Sequence, residues 1–494
     1  MNPFEIKYQK IIILPLLIAF CFFATCKSDK GSVDLGGYPT AVGKLIETKC
    51  ANRGCHDEVS KNGAAGLSME TWDALFNGEN TGAVVIPYRP DYSIFSFVIN
   101  TYPDLGIIVK PTMPYNKPAL SRDEVILLQN WIANGAPDRN GKVKFADNTQ
   151  RKKIYVTNQG CDVVTVFDQE TGLPMRYINV GKTSSIESPH MIRVSPDGKY
   201  WYVVFSAGAY VQRYKTSDDS FDAEVNVGTG NWNSITISSD SKDAYVVDWS
   251  SFGRIGHIDL QTMTLSLPVW QGSNLFDFPH GGALNKTNDT LYCTGQTGNF
   301  IYKIPVADPA SAEQVSLDGN PAVTSSSLDV HEISFSPDFT KYFVTCQRTN
   351  EVRIMQTSDD QLLKVIPVGL YPQELSVSRS SKYLFVSCPE DTITFPGFRG
   401  SVAIIDYQSN TLVSKVFTGF QPHGLVVDDA KKMVYVANRN VTTKGPAPHH
   451  LGVCGGRNGY VTFIDMTTFE LAKLPDGGER RIELSVDPYS VALR

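Results

Sequence analysis

Two hydrophobic patterns divide this chain. Up to about residue 140 apolar positions recur at helical spacing, and beyond about residue 150 they alternate with a period of two. Val42 to Thr48 predicts a helix that runs into Cys50. Leu120 to Pro137 predicts another, with a capping box at Ser121 and Glu124 and a stop at Gly135 and Pro137. Between them lie short apolar stretches: Gly66–Met69, Trp72–Gly78, Val85–Pro87, Pro90–Phe95 and Thr112-Met113-Pro114.

The second region repeats. Its clearest unit, Pro189–Val204, reads as a strand, a Ser-Pro-Asp-Gly turn and a second strand. The same shape recurs at Ser234–Val247, His280–Thr294, His331–Thr345, Gln373–Ser387 and Pro422–Ala437, each followed by a third strand. A fourth strand often ends in Val-Gly or Thr-Gly, as at Val180-Gly181 and Thr418-Gly419. Four antiparallel strands at a period of roughly 40 to 50 residues predict a β-propeller. Seven third strands give seven blades. The first blade opens at Ile154 on a second strand, and Asp487–Leu493 fits the missing innermost one. The C-terminus is therefore expected to close the ring and remove its free edges.

The N-terminus reads as an address. Lys7 and Lys10 precede the apolar run Ile11 to Thr25, which ends at Cys26. This is a secretory signal, and Phe23-Ala24-Thr25-Cys26 resembles the bacterial lipoprotein signal, whose cysteine is lipidated. An uncleaved anchor is the competing reading, but the run is short against the roughly 20 residues that span a bilayer. Both readings place the mature protein outside the cytoplasmic membrane, in the periplasm or on the outer membrane. The 494 residues then divide into a signal peptide over 1–26, a polar tether over 27–38, a small all-α domain over 39–140 and an all-β propeller over 150–494. A net charge of −6 argues against nucleic acid as a partner.

Lys49-Cys50-Ala51-Asn52-Arg53-Gly54-Cys55-His56 carries the candidate chemistry. Two cysteines closed by an adjacent histidine read as a c-type haem attachment site, although four residues separate the thiols where two are usual. Zinc would want four ligands, and no second Cys/His pair lies nearby. A disulfide between Cys50 and Cys55 is the structural alternative.

The order of elements over residues 44 to 137, from Cys…Cys-His through Gly-Leu and Pro…Ser-x-Leu segments to Met-Pro and a helix ending Trp-Ile-x-x-Gly-Ala, resembles the planctomycete-type cytochrome c domain. The resemblance implies one haem on Cys50 and Cys55, with His56 as proximal and Met113 as distal iron ligand. Met113 also has a physical case: a thioether is a soft neutral ligand, and Pro111 and Pro114 stiffen its loop. Core packing is the ordinary role of a methionine, and Met69 is the alternative ligand. Tyr155-Val156-Thr157-Asn158 and Tyr435-Val436-Ala437-Asn438 resemble the YVTN repeat family.

Among only eight histidines, His190, His280, His331 and His423 occupy one repeat position, at the start of an innermost strand. Trp232/Asn233, Gln373 and Tyr489 fill that slot in the other blades. These side chains are expected to ring the mouth of the central channel. An insertion, Arg439 to Gly459, carries His449, His450 and Cys454 on the same face, and Pro389 to Gly400 rims that side. The ring reads either as ligands for a second metal or haem-like cofactor or as repeat-consensus residues in a water-filled channel. The region resembles the propeller of haem-d nitrite reductases, which join a small cytochrome c domain to such a propeller. Cys293, Cys346 and Cys388 lie in equivalent second strands and read as buried apolar residues. The functions in competition are an electron-transfer protein with a docking or substrate-binding propeller, a periplasmic oxidoreductase, and a non-redox surface binding protein. The partner is a redox protein or a small-molecule substrate, beside a membrane reached through lipid on Cys26.

Overall fold

Short apolar stretches separated by turns build seven antiparallel sheets of four strands each. The computed structural model describes residues 34–271, 276–441, 454–455 and 458–494. The expected signal segment with Cys26 and the histidines at 449 and 450 therefore lie outside the described residues. The sheets are the blades of a seven-bladed β-propeller. In blade 1 the C-terminal strand Pro488–Leu493 pairs with Lys153–Asn158, so the ring closes as the repeat count predicts.

Burial follows distance from the axis. Second strands such as Tyr200–Phe205 and Tyr383–Cys388 are buried from their second residue onward, because blades pack on both of their faces. Outer strands such as Leu362–Pro367 are largely exposed. Ser-Pro-Asp-type turns lock themselves: the Ser195 hydroxyl donates to Asp197 at 2.7 Å and Ser336 to Asp338 at 2.6 Å.

Among the described residues, four α-helices precede the blades: α1 (Thr40–Lys49), α2 (Trp72–Leu75), α3 (Ile94–Ile99) and α4 (Arg122–Ala133). In α4 both halves of the Ser121/Glu124 capping box form, and Val125, Leu128, Trp131 and Ile132 face the core. The helix ends as its sequence predicts. Gly135 adopts φ +95°, and the Ala136 and Gly135 N–H groups donate back to Trp131 and Ile132 carbonyls, which is a Schellman motif. The Trp72 indole donates to Ala136 O at 2.8 Å and ties α2 to that end.

The helical segment sits on the outer strands of blades 1 and 7, Leu173–Asn179 and Arg481–Glu483. Tyr92 stacks on Tyr177 with ring centroids 4.4 Å apart, and Arg89 donates to Tyr177 O at 2.7 Å. The Glu483 N–H donates to Thr81 O at 2.9 Å. One apolar cluster runs from Leu45, Cys50 and Phe97 through Phe76 and Phe145 to Met175 and Trp201. Leu35–Arg494 thus forms one compact unit. A disulfide joins Cys161, in a turn of blade 1, to Cys454 across 293 residues.

Candidate functional sites

The first site is a closed turn at the end of α1. Cys50 and Ala51 both donate to Ile46 O and finish the helix, and the chain then folds back until the His56 N–H donates to Cys50 O at 3.1 Å. Gly54 makes that reversal at φ +86°. Four intervening residues therefore close a loop that brings Cys50, Cys55 and His56 together. Both thiols are free, so the disulfide alternative is absent from the structure. Burial, and then the neighbouring Cys55, push the Cys50 thiol up to about 12. Burial holds the half-buried His56 imidazole below its ordinary range. Its Nδ1 faces Leu67 O at 3.4 Å, and its carbonyl accepts from Met69 N at 2.8 Å. Nε2 is then the ring nitrogen left for a ligand.

The two methionines differ. Met69 is enclosed in the core at 1% exposure, whereas Met113 is half-buried at the edge of the apolar cluster that contains Cys50. The Met113 N–H donates to Val98 O at 2.6 Å, which anchors its loop to α3.

The second site lies at the innermost strands. Register shifts recur there, between Pro279 and Gly282, Val330 and Ile333, and Pro422 and Leu425. Each is a bulge in which two residues oppose one, and bulges re-aim side chains. A hydroxyl on the second strand satisfies the bulged N–H: Thr294 accepts from Gly281 at 2.8 Å, Thr345 from Glu332 at 2.9 Å, and Thr157 from Ser490 at 2.9 Å. Thr294 and Thr345 donate onward to His331 O and Gln373 O of the next blade. The threonine of the Tyr-Val-Thr-Asn tetrapeptide thus holds the innermost strand in place.

All four slot histidines are buried, but they do not form an even ring. His280 and His331 meet with ring centroids 3.9 Å apart. His423 stacks on Tyr489 at 3.6 Å and donates through Nδ1 to Tyr489 O, 3.2 Å away. Gln159 reaches His190 Nδ1 at 3.3 Å, and Tyr489 lies 4.4 Å from that ring. Burial holds His280 down to about 4 and pushes the other three well below their ordinary range. All four are therefore neutral at neutral pH.

Two carboxylates escape the sequence reading. Glu332 and Glu374 follow the slot residues His331 and Gln373, and both are buried. Burial, and then Glu374, raise the Glu332 carboxyl above its usual range, while Arg193 opposes this. Strand alternation would turn Glu332 away from His331; the bulge keeps them together. Among the described residues, the grouping close enough to share a metal is His280, His331 and Glu332, with ligand atoms within 4.8 Å of one another. Glu332 Oε2 and His423 Nε2 are buried without a hydrogen-bond partner, and His280 Nδ1 and His331 Nδ1 make no well-formed hydrogen bond.

No protein-family model matches the sequence. Antigen Lp49 of Leptospira interrogans serogroup Icterohaemorrhagiae serovar copenhageni (strain Fiocruz L1-130) is 23% identical over 318 residues, 60% of this chain and 64% of that protein. The chain thus matches less than two thirds of that relative's length. Among solved structures, Kuenenia stuttgartiensis hydrazine synthase is similar at 19% identity over 58% of this chain and 89% of that one, with a TM-score of 0.46. A functionally unknown protein from Desulfotomaculum acetoxidans DSM 771 is similar at 13% identity over 68% of this chain and 99% of that one, with a TM-score of 0.48.

Proposed function

We propose that this chain is an exported electron-transfer protein that carries one covalently attached c-type haem on residues 39–140, beside a propeller that docks a redox partner or a small substrate. The closed turn at the end of α1 carries this reading. It holds two free thiols and an imidazole whose Nδ1 faces a backbone carbonyl. Cys50 and Cys55 would hold the group, and His56 and Met113 would ligate its iron, which supplies reversible one-electron chemistry. The residues fit it. The Leu67 carbonyl selects the His56 tautomer and orients the ring. The surrounding apolar cluster excludes water, and the half-buried Met113 is reachable where Met69 is sealed in the core.

This reading makes the segment a planctomycete-type cytochrome c domain joined to a YVTN-type propeller. Export follows from the signal segment, with lipid on Cys26 as the membrane anchor. The Cys161–Cys454 disulfide supports an oxidising compartment.

The test is an absorption spectrum of the full chain matured with haem-attachment machinery. The reduced protein is expected to show the α-band of c haem, with about one iron per chain. Cys55→Ala should lose one covalent link, and Met113→Leu should lower the midpoint potential by on the order of 0.1 V, a fraction of the range that axial ligands set. Protein that matures without any haem band sinks the proposal.

A further inference from the structure

The geometry points to a second metal site at the propeller axis, in which His280 and His331 of adjacent blades and Glu332 hold a divalent first-row transition ion. This inference does not rest on the haem. Two neutral imidazoles and one carboxylate form a donor set that suits such ions and leaves coordination positions open.

Four observations converge on it. The ligand atoms lie within 4.8 Å of one another, and an ion at ordinary bond lengths would draw them in by about an ångström. Glu332 Oε2 is buried without a hydrogen-bond partner, and His280 Nδ1 and His331 Nδ1 make no well-formed hydrogen bond, although the backbones of His331 and Gln373 lie beside the two rings. The other carboxylate oxygen is already used, since Glu332 Oε1 accepts from the Ile333 N–H at 3.1 Å. Finally, position 281 is glycine. A Cβ there would stand 2.7 Å from Glu332 Oε1 and 2.8 Å from His331 O, so the approach of Glu332 to His280 needs its absence.

Two further carboxylate and guanidinium groups face the site. Glu374 lies near Glu332, and Arg193 acts on both. A cation between the imidazoles and Glu332 would offset the repulsion between the two acids. His423 and His190 are engaged by Tyr489 and Gln159, so they flank the ion rather than bind it first. Repeat duplication explains a histidine at the slot, and the next position likewise repeats glycine at 281 and 424 and glutamate at 332 and 374. What sets this place apart is that two histidines and a glutamate converge there.

The experiment is elemental analysis of the full chain after desalting, then Zn2+ and Cu2+ titration of chelator-treated protein, followed by thermal melting. About one equivalent of a non-iron transition ion should copurify or rebind, and the ion should raise the melting temperature. Glu332→Gln keeps the side-chain volume but removes the carboxylate, and should weaken Zn2+ at least about ten-fold, as should His331→Ala. A Met113→Leu protein should keep this metal, and a chain without haem should keep it too, which separates the two readings. A folded chain that takes up neither ion above the level of Glu332→Gln overturns the assignment, leaving water in the channel.

Discussion

Gly135 and the threonines of the second strands show how much one residue decides. Gly135 must take φ +95°, and a Cβ would also meet the Tyr88 ring at 2.8 Å. Gly135→Ala is therefore expected to cost about 1 to 3 kcal/mol, read as a lower midpoint in denaturant unfolding. Its stop signal was legible because capping acts within a single turn. So was the His56 loop, whose closing bond spans only Cys50 to His56. Glu332 was not legible. Its side chain joins His331 only because the innermost strand bulges between Val330 and Ile333, and simple alternation puts neighbours on opposite faces. The Thr345 hydroxyl that accepts from Glu332 N offers a signal in hindsight, since a hydroxyl recurs at that register in Thr157, Thr294 and Ser387.

At the scale of elements, the blades are stapled by interactions between strands distant in sequence. Lys153 of blade 1 donates to Asp219 Oδ2 at 2.7 Å and Thr216 O at 2.8 Å in blade 2, and the Tyr155 hydroxyl donates to Asp219 Oδ1 at 3.2 Å. Burial pushes the Lys153 ammonium down and the Asp219 carboxyl up, so the two charges persist only through each other and these hydrogen bonds. Removing one partner leaves the other charge buried alone. Asp219→Asn should destabilise by about 3 to 5 kcal/mol, whereas Lys153→Met with Asp219→Leu should recover most of that loss. Equilibrium unfolding of the three proteins checks both statements; equal loss in the single and double variants would refute the account.

For the whole molecule, the C-terminal strand and the seat of the helical segment matter most. Pro488–Leu493 supplies the innermost strand of blade 1 and the ring residue Tyr489. Deleting residues 488–494 should expose Lys153–Asn158 as an open edge, producing aggregation and rapid amide exchange in that strand. Wild-type exchange rates there in a soluble truncated chain would contradict the closure role. The helical segment stays tied to blades 1 and 7 by Tyr92, Arg89 and Thr81, within one shared apolar cluster.

By itself the sequence determined the seven-bladed count, the closing strand, the capped α4 and the turn that gathers Cys50, Cys55 and His56. These follow from local periodicity and capping, where the groups that satisfy one another lie a few residues apart. Only the tertiary structure decided that Cys161 meets Cys454, that Lys153 meets Asp219, and that His280 and His331, but not all four slot histidines, converge with Glu332. Those pairings form when the ring closes and a bulge turns two consecutive side chains inward, and neither event leaves a mark in the local hydrophobic pattern.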